Sequence, residues 1–299
     1  MKISASPALR LALALFALYV IWGSTYFAIK IGVASWPPLM MAGVRFTIAG
    51  CLMITVLLLK GHKLPTLRQA LSAALIGTLL LAVGNGLVTQ AEFMQVPSGI
   101  AAVMVATVPL FTLIFARMFG HQASPIEWLG VVVGLIGIIL LNTGGNLTGN
   151  PTGALLVIIA SLSWAFGSVL SRYLTLPVGL MAAAVEMIAA GVLLLMTSLM
   201  NGEKLSRIPD KASLLALIYL VLFGSIFAFS AYTYLLKYAR PALATSYAYV
   251  NPVVAVMLGM AFAGERLTLV EWLALGIIIF AVVMVMLTQS LRRVKTASV

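Results

Sequence analysis

ATVPLFTLIF, residues 106–115, and AYVNPVVAVM, residues 248–257, each place a proline, Pro109 or Pro252, about midway along an apolar run long enough to form one helix. Proline lacks a backbone donor and clashes with the preceding turn, so each run carries a helix-break position. A defect set twice in equivalent places points to a unit used twice. Between and around these runs lie further apolar windows, and their number decides the fold class.

The 299 residues are 63% hydrophobic and 8% charged, with mean hydropathy +1.14. A soluble domain could not enclose that much apolar surface, so the chain reads as an all-α polytopic membrane protein. A membrane-crossing helix needs about 20 mostly apolar residues. Ten such windows are read, at 9–31, 38–59, 71–90, 98–118, 125–141, 153–172, 177–200, 213–236, 241–263 and 268–289, separated by short Gly, Pro or polar breaks. The opening window has basic flanks like those of a secretory leader, but it runs on to Lys30 without a small-residue cleavage pattern and is read as the first span. With a single cysteine, Cys51, no disulfide can form within the chain.

Net charge +11 raises the question of nucleic acid, and the placement of the charges answers it. With the N-terminus in the cytoplasm, Lys2, Arg10, Lys60, Lys63, Arg68, Arg117, Arg172, Lys237, Arg240, Arg292, Arg293 and Lys295 fall inside. Lys30, Lys204, Arg207, Lys211 and Arg266 fall outside, and Arg45 lies within a span. Such a bias orients a polytopic protein with both termini cytoplasmic and removes the reason to expect a nucleic-acid partner.

The repeat can be followed residue by residue. Trp22 recurs as Trp164, Pro109 as Pro252, and Glu127-Trp128-Leu129 as Glu271-Trp272-Leu273, at offsets of 142, 143 and 144 residues. Two five-helix units follow, 9–141 and 153–289. An odd number of spans makes the second unit enter from the opposite side, giving two inverted repeats with a pathway along their interface.

Trp22-Gly23-Ser24-Thr25 with Lys30, Pro109, Asn251-Pro252, Gly264-Glu265-Arg266-Leu267-Thr268 and the two Glu-Trp-Leu triads together resemble the EamA-type transporters of the drug/metabolite transporter superfamily. The resemblance covers almost the whole chain and implies ten helices, an inverted repeat, a central cavity and export of small metabolites. The first unit departs from it at Gly120-His121-Gln122-Ala123-Ser124, where the second has Gly264-Glu265-Arg266-Leu267-Thr268.

Candidate substrate-binding residues follow from depth and polarity. Tyr19, Trp22 and Tyr26 share one helix face. Trp22 and Trp164 lie roughly 20 and 16 Å into their helices, too deep for the headgroup belt that suits Trp36, Trp128 and Trp272. Tyr247 and Asn251 crowd polar groups around Pro252, and Asn85 sits between Gly84 and Gly86, where a backbone or ligand can approach. Arg45 and Glu186 are charges inside spans, costing about 2.5–3.5 kcal/mol each at the bilayer centre on insertion scales. Three readings stay open: a structural salt bridge between them, Arg45 as an anchor for a substrate carboxylate, and Glu186 as a proton-coupling group.

The function classes separate on the same residues. A secondary-active transporter, exporting amino-acid-like or amphipathic solutes by alternating access, is the leading reading. A small-solute channel or facilitator without ion coupling is the alternative. A membrane-embedded enzyme ranks lower, because two loop histidines and seven scattered carboxylates form no catalytic constellation. No metal site or cofactor is expected, and no Gly-x-x-x-x-Gly-Lys loop for a nucleotide occurs. Expected partners are a small-molecule substrate and the lipid bilayer; the oligomeric state is open.

Overall fold

The computed structural model describes residues 6–94, 96, 101, 104–122, 124–141, 151–263, 269–270, 272–274, 276–281 and 284. The described residues form helices and turns, with no strand. The helices are α1 Pro7–Gly32, α2 Pro38–Leu59, α3 Leu67–Phe93, α4 Val108–Met118, α5 Pro125–Leu141, α6 Pro151–Leu170, α7 Leu180–Met200, α8 Lys211–Tyr238, the short α9 Pro241–Ala244, and α10 Tyr247–Ala263. Residues 272–274 and 276–281 are also helical. Among the described residues six helices, α1, α2, α3, α6, α7 and α8, are long and apolar enough to cross a membrane. We call the face where α1 begins the terminal face and the face where it ends the distal face.

Local chemistry sets the helix ends. Ser6 caps α1, and Thr66 with Gln69 forms a reciprocal capping box that starts α3 four residues ahead of its apolar window. Asp210 caps α8 and accepts from Ser213 N–H at 2.8 Å. The seventh window was expected from residue 177, yet α7 begins at Leu180. Gly179 takes φ +63, which suits glycine and holds the preceding turn out of the helix.

Two helices share an irregularity. Thr78–Asn85 in α3 and Leu220–Phe227 in α8 are π-helical, eight residues each, set 142 residues apart. In both, the residue that closes the segment, Gly86 or Ala228, donates to the carbonyl five residues back, Leu81 or Phe223. Wider turns displace carbonyls from the usual ladder, and side chains of other helices bind there. Trp22 Nε1 donates to Gly224 O at 3.0 Å, and Ser163 Oγ donates to Leu79 O at 2.8 Å.

The packing brings the two portions of the chain together. α2 runs along α7, α1 lies against α8 and α10, and α6 lies against α3 and α4. At Gly191 an added Cβ would stand 2.5 Å from Thr47 N, so the close α2–α7 approach requires glycine. Outward faces stay apolar: Leu13, Phe16, Val20 and Phe27 on α1 and Leu215, Ile218 and Leu222 on α8 are exposed, as lipid-facing side chains are.

Candidate functional site

Between α1, α2, α3, α4, α6, α8 and α10 lies a cavity of about 70 Å³, enough for water-sized molecules. Seven of the eight candidate substrate-binding residues line it: Trp22, Tyr26, Arg45, Asn85, Trp164, Tyr247 and Asn251. Tyr19 does not. Its hydroxyl pairs with Ser246 Oγ at 2.7 Å, tying α1 to the turn ahead of α10.

The wall is an aromatic box. Trp22 meets Trp164 edge-on at 5.4 Å between ring centroids and Tyr247 at 4.8 Å. Tyr232 joins both tryptophans, at 5.1 and 5.5 Å. Edge contacts of this kind set the positive rim of one ring on the negative face of the next. The indole donors are engaged elsewhere: Trp22 on the π-segment carbonyl of Gly224, Trp164 on Tyr232 Oη at 2.8 Å. Gly84 makes room for this box, since an added Cβ would stand 2.7 Å from the Trp164 ring. The expected close approach at Gly84-Asn85-Gly86 is therefore that of an indole, with Leu194 against Gly86.

Polar groups enter the box at few points. Arg45 is buried, donates from Nε to Ser225 Oγ at 2.8 Å and stands 4.7 Å from the Phe46 ring centroid. The side-chain carbonyls of Asn85 and Asn251 are buried without a hydrogen-bond partner. A cation, two open amide acceptors and an aromatic wall together suit a small solute with both donor and acceptor ends.

The Arg45–Glu186 salt bridge, one of the three readings, is not formed. Arg45 turns towards α8, while Glu186 does not line the cavity and its backbone packs against Gly77 of α3. Depth along two antiparallel helices placed these charges at similar levels but did not fix the direction in which each points. Pro109 is the second residue of α4, directly after the turn at Ala106–Thr107. Pro252 lies inside α10, and the nearest irregularity is the turn at Thr245–Ser246. The 264–268 turn, Glu271 and residues 285–289 of the last window lie outside the described residues.

Both faces carry polar ties between the two portions of the chain. On the terminal face Arg240 holds Glu127 with Nε–Oε1 2.5 Å and Nη2–Oε2 2.6 Å, and Glu127 also accepts from Ser124 N–H at 2.7 Å. Arg172 donates to Ala239 O at 2.6 Å nearby. On the distal face Glu203 accepts from the N–H groups of Leu39 and Met40 at the start of α2, where the helix dipole favours an anion. The Ser35 hydroxyl donates to Asp210. Sequence reading missed Tyr232, Glu92 and the Arg240–Glu127 pair. The capping box at Thr66 signalled only the start of α3; that the helix runs on past residue 90 to Phe93, and so carries Glu92, left no such mark.

Helices of membrane-crossing length around an aromatic cavity that holds one cation and two open amides define a polytopic membrane protein with a polar-lined interior cavity. The chain belongs to the EamA-like transporter family, whose sequence pattern matches residues 9–143 and again residues 151–287. It is 65% identical over 278 residues to the uncharacterized inner membrane transporter YedA of Escherichia coli K12, covering 93% of this chain and 91% of that protein. More distant relatives are the uncharacterized transporter YdfC of Bacillus subtilis, 25% identical over 85% of this chain and 83% of that one, and Protein PecM of Dickeya dadantii, 25% identical over 90% and 91%. One solved crystal structure superposes with TM-score 0.77 at 21% identity, covering 94% of this chain and 98% of that chain, and shares the fold.

Proposed function

We propose that this transporter is a secondary-active carrier of small zwitterionic or amphipathic metabolites, working by alternating access between two inverted five-helix units in a bacterial inner membrane. The observation that carries the reading is one cavity into which residues of both portions converge, with Arg45 from α2 and Asn251 from α10 beside the Trp22–Trp164 pair. Matching π-segments 142 residues apart, and the reciprocal packing of α1 on α8 and α6 on α3, support the repeat. In this reading ten spans cross the bilayer and the terminal face is cytoplasmic. Arg45 takes a substrate carboxylate, Asn85 and Asn251 accept from an ammonium or hydroxyl, and the aromatic box holds the apolar part.

A volume of about 70 Å³ is far below the roughly 300–1,000 Å³ of ordinary ligand pockets, so loading requires the helices to part. Ties on both faces are the contacts such a motion breaks in turn. The test is counterflow in proteoliposomes with labelled L-phenylalanine, L-tyrosine and L-threonine. Saturable exchange, weakened by Arg45→Gln, is expected. Absence of flux across that panel with folded protein overturns the substrate class, and flux without counterflow favours the channel.

A further inference from the structure

Glu92 is the carboxylate that the sequence reading passed over, and its surroundings assign it work. It is 8% exposed, and neither of its carboxylate oxygens has a hydrogen-bond partner. It continues one face of α3: Leu81, Asn85 and Val88 line the central cavity at spacings of four and three, and residue 92 follows four further on. Its chain neighbours Gln90 and Phe93 line a second pocket of about 650 Å³ that also carries Glu203 and Lys204. Glu92 therefore stands in the partition between the cavity and the distal pocket.

We propose that Glu92 is the proton-binding site of this partition, protonated while the distal side is closed and giving its proton to water of the distal pocket when that side opens. An ionised carboxylate buried without a partner is costly, by several kcal/mol. Opening the partition lets water hydrate the carboxylate, so the charged form gains hydrogen-bond partners in the open state. The groups that face Glu92 are consistent with this exchange. Lys30 and Tyr26 of α1 interact with it electrostatically, and Tyr26 and Asn251 both line the cavity. Arg45 is the nearest charge along α2. Residues 38–44 of α2 and 151–163 of α6 hold no titratable side chain. Glu203 is occupied by the start of α2, leaving Lys204 as the other charge at the distal pocket. The inference deepens the carrier reading, since such a site couples solute movement to a pH gradient.

Two measurements on the full chain in phosphatidylethanolamine–phosphatidylglycerol vesicles test it, and neither needs a transported solute. In infrared difference spectra taken while pH is raised in a Glu186→Gln background, which removes the other buried carboxyl with an unpartnered oxygen among the described residues, a protonated-carboxyl component should titrate away and be missing once Glu92→Gln is added. In a Cys51→Ala, Val88→Cys background, labelling of residue 88 from the distal side by a small charged thiosulfonate should rise roughly fivefold across the same titration, as a shift between two populations does. Glu92→Gln should hold labelling at the low-pH rate throughout. Glu92→Asp keeps an acid in place and should shift the midpoint, which guards against a Gln variant that folds poorly. The proposal is overturned if Glu92→Gln keeps the infrared component or the pH response of labelling, if Glu186→Gln abolishes either, or if Glu92→Asp leaves the midpoint unmoved. A failed search for solutes would sink the carrier reading and leave this result standing.

Discussion

Single side chains in the box are constrained by what they must donate to or accept from. Tyr232 accepts from Trp164 Nε1 and shares a 2.5 Å hydrogen bond with Ser168, so one hydroxyl serves two neighbours. Tyr232→Phe leaves the Trp164 donor buried without its acceptor and should lower stability by about 1–3 kcal/mol, read as reduced thermal unfolding temperature in detergent. Gly84→Ala acts by a different route: the new methyl meets the Trp164 ring rather than a polar group. It should displace the indole, shifting tryptophan emission and raising the KM for any transported solute more than it lowers stability. Arg45→Lys keeps the charge but loses the planar fork, and it should also weaken carboxylate binding. An unchanged KM in Arg45→Lys would remove the carboxylate from the substrate description.

At the scale of elements, the cap of α8 offers a pH-dependent tie. The Ser35 hydroxyl, with Ser213 N–H, holds the exposed Asp210 carboxyl below its ordinary value. A depressed value means that the charged form is the one that caps, so the tie is present above the ordinary carboxylate range and lost as pH falls through the lowered value. Hydrogen exchange at residues 211–214 should therefore accelerate on strong acidification, and Asp210→Asn, which still caps, should remove that dependence. The elements themselves were legible because apolar length and Gly or Pro punctuation survive in composition: the starts of α2 and α5 fall where the apolar windows predict them. Other features were not. The π-segments leave no mark on hydrophobic pattern, since one extra residue per turn in a uniformly apolar helix changes nothing that composition records. Trp22 and Trp164, read as too deep for the headgroup belt, line the cavity, and that depth follows from counting along a helix. The azimuth of Arg45 and Glu186 did not follow, because in helices apolar on every side no polar face says which way a residue points.

For the whole molecule the proposed alternating access makes the relation between the two faces decisive, since one must stay closed while the other opens. Arg240 and Glu127 join opposite portions of the chain on the terminal face, and the carboxylate is 1% exposed. Removing one partner of such a pair leaves a buried charge and costs about 3–5 kcal/mol, whereas removing both can be nearly neutral. Arg240→Met should therefore be strongly destabilised in thermal unfolding, and Arg240→Met with Glu127→Gln should recover most of the loss, giving a coupling energy that a double-mutant cycle reads directly. The double variant also lacks the tie itself, so its equilibrium should move toward the state open on the terminal face. A cysteine at Val88 in that variant should label faster from the terminal side than in the parent, with Ser35→Cys still labelling from the distal side alone. If the double variant recovers stability and leaves labelling unchanged, the pair is a packing contact of the closed bundle and the opening motion is governed elsewhere; if both change together, this tie is what keeps the terminal face shut.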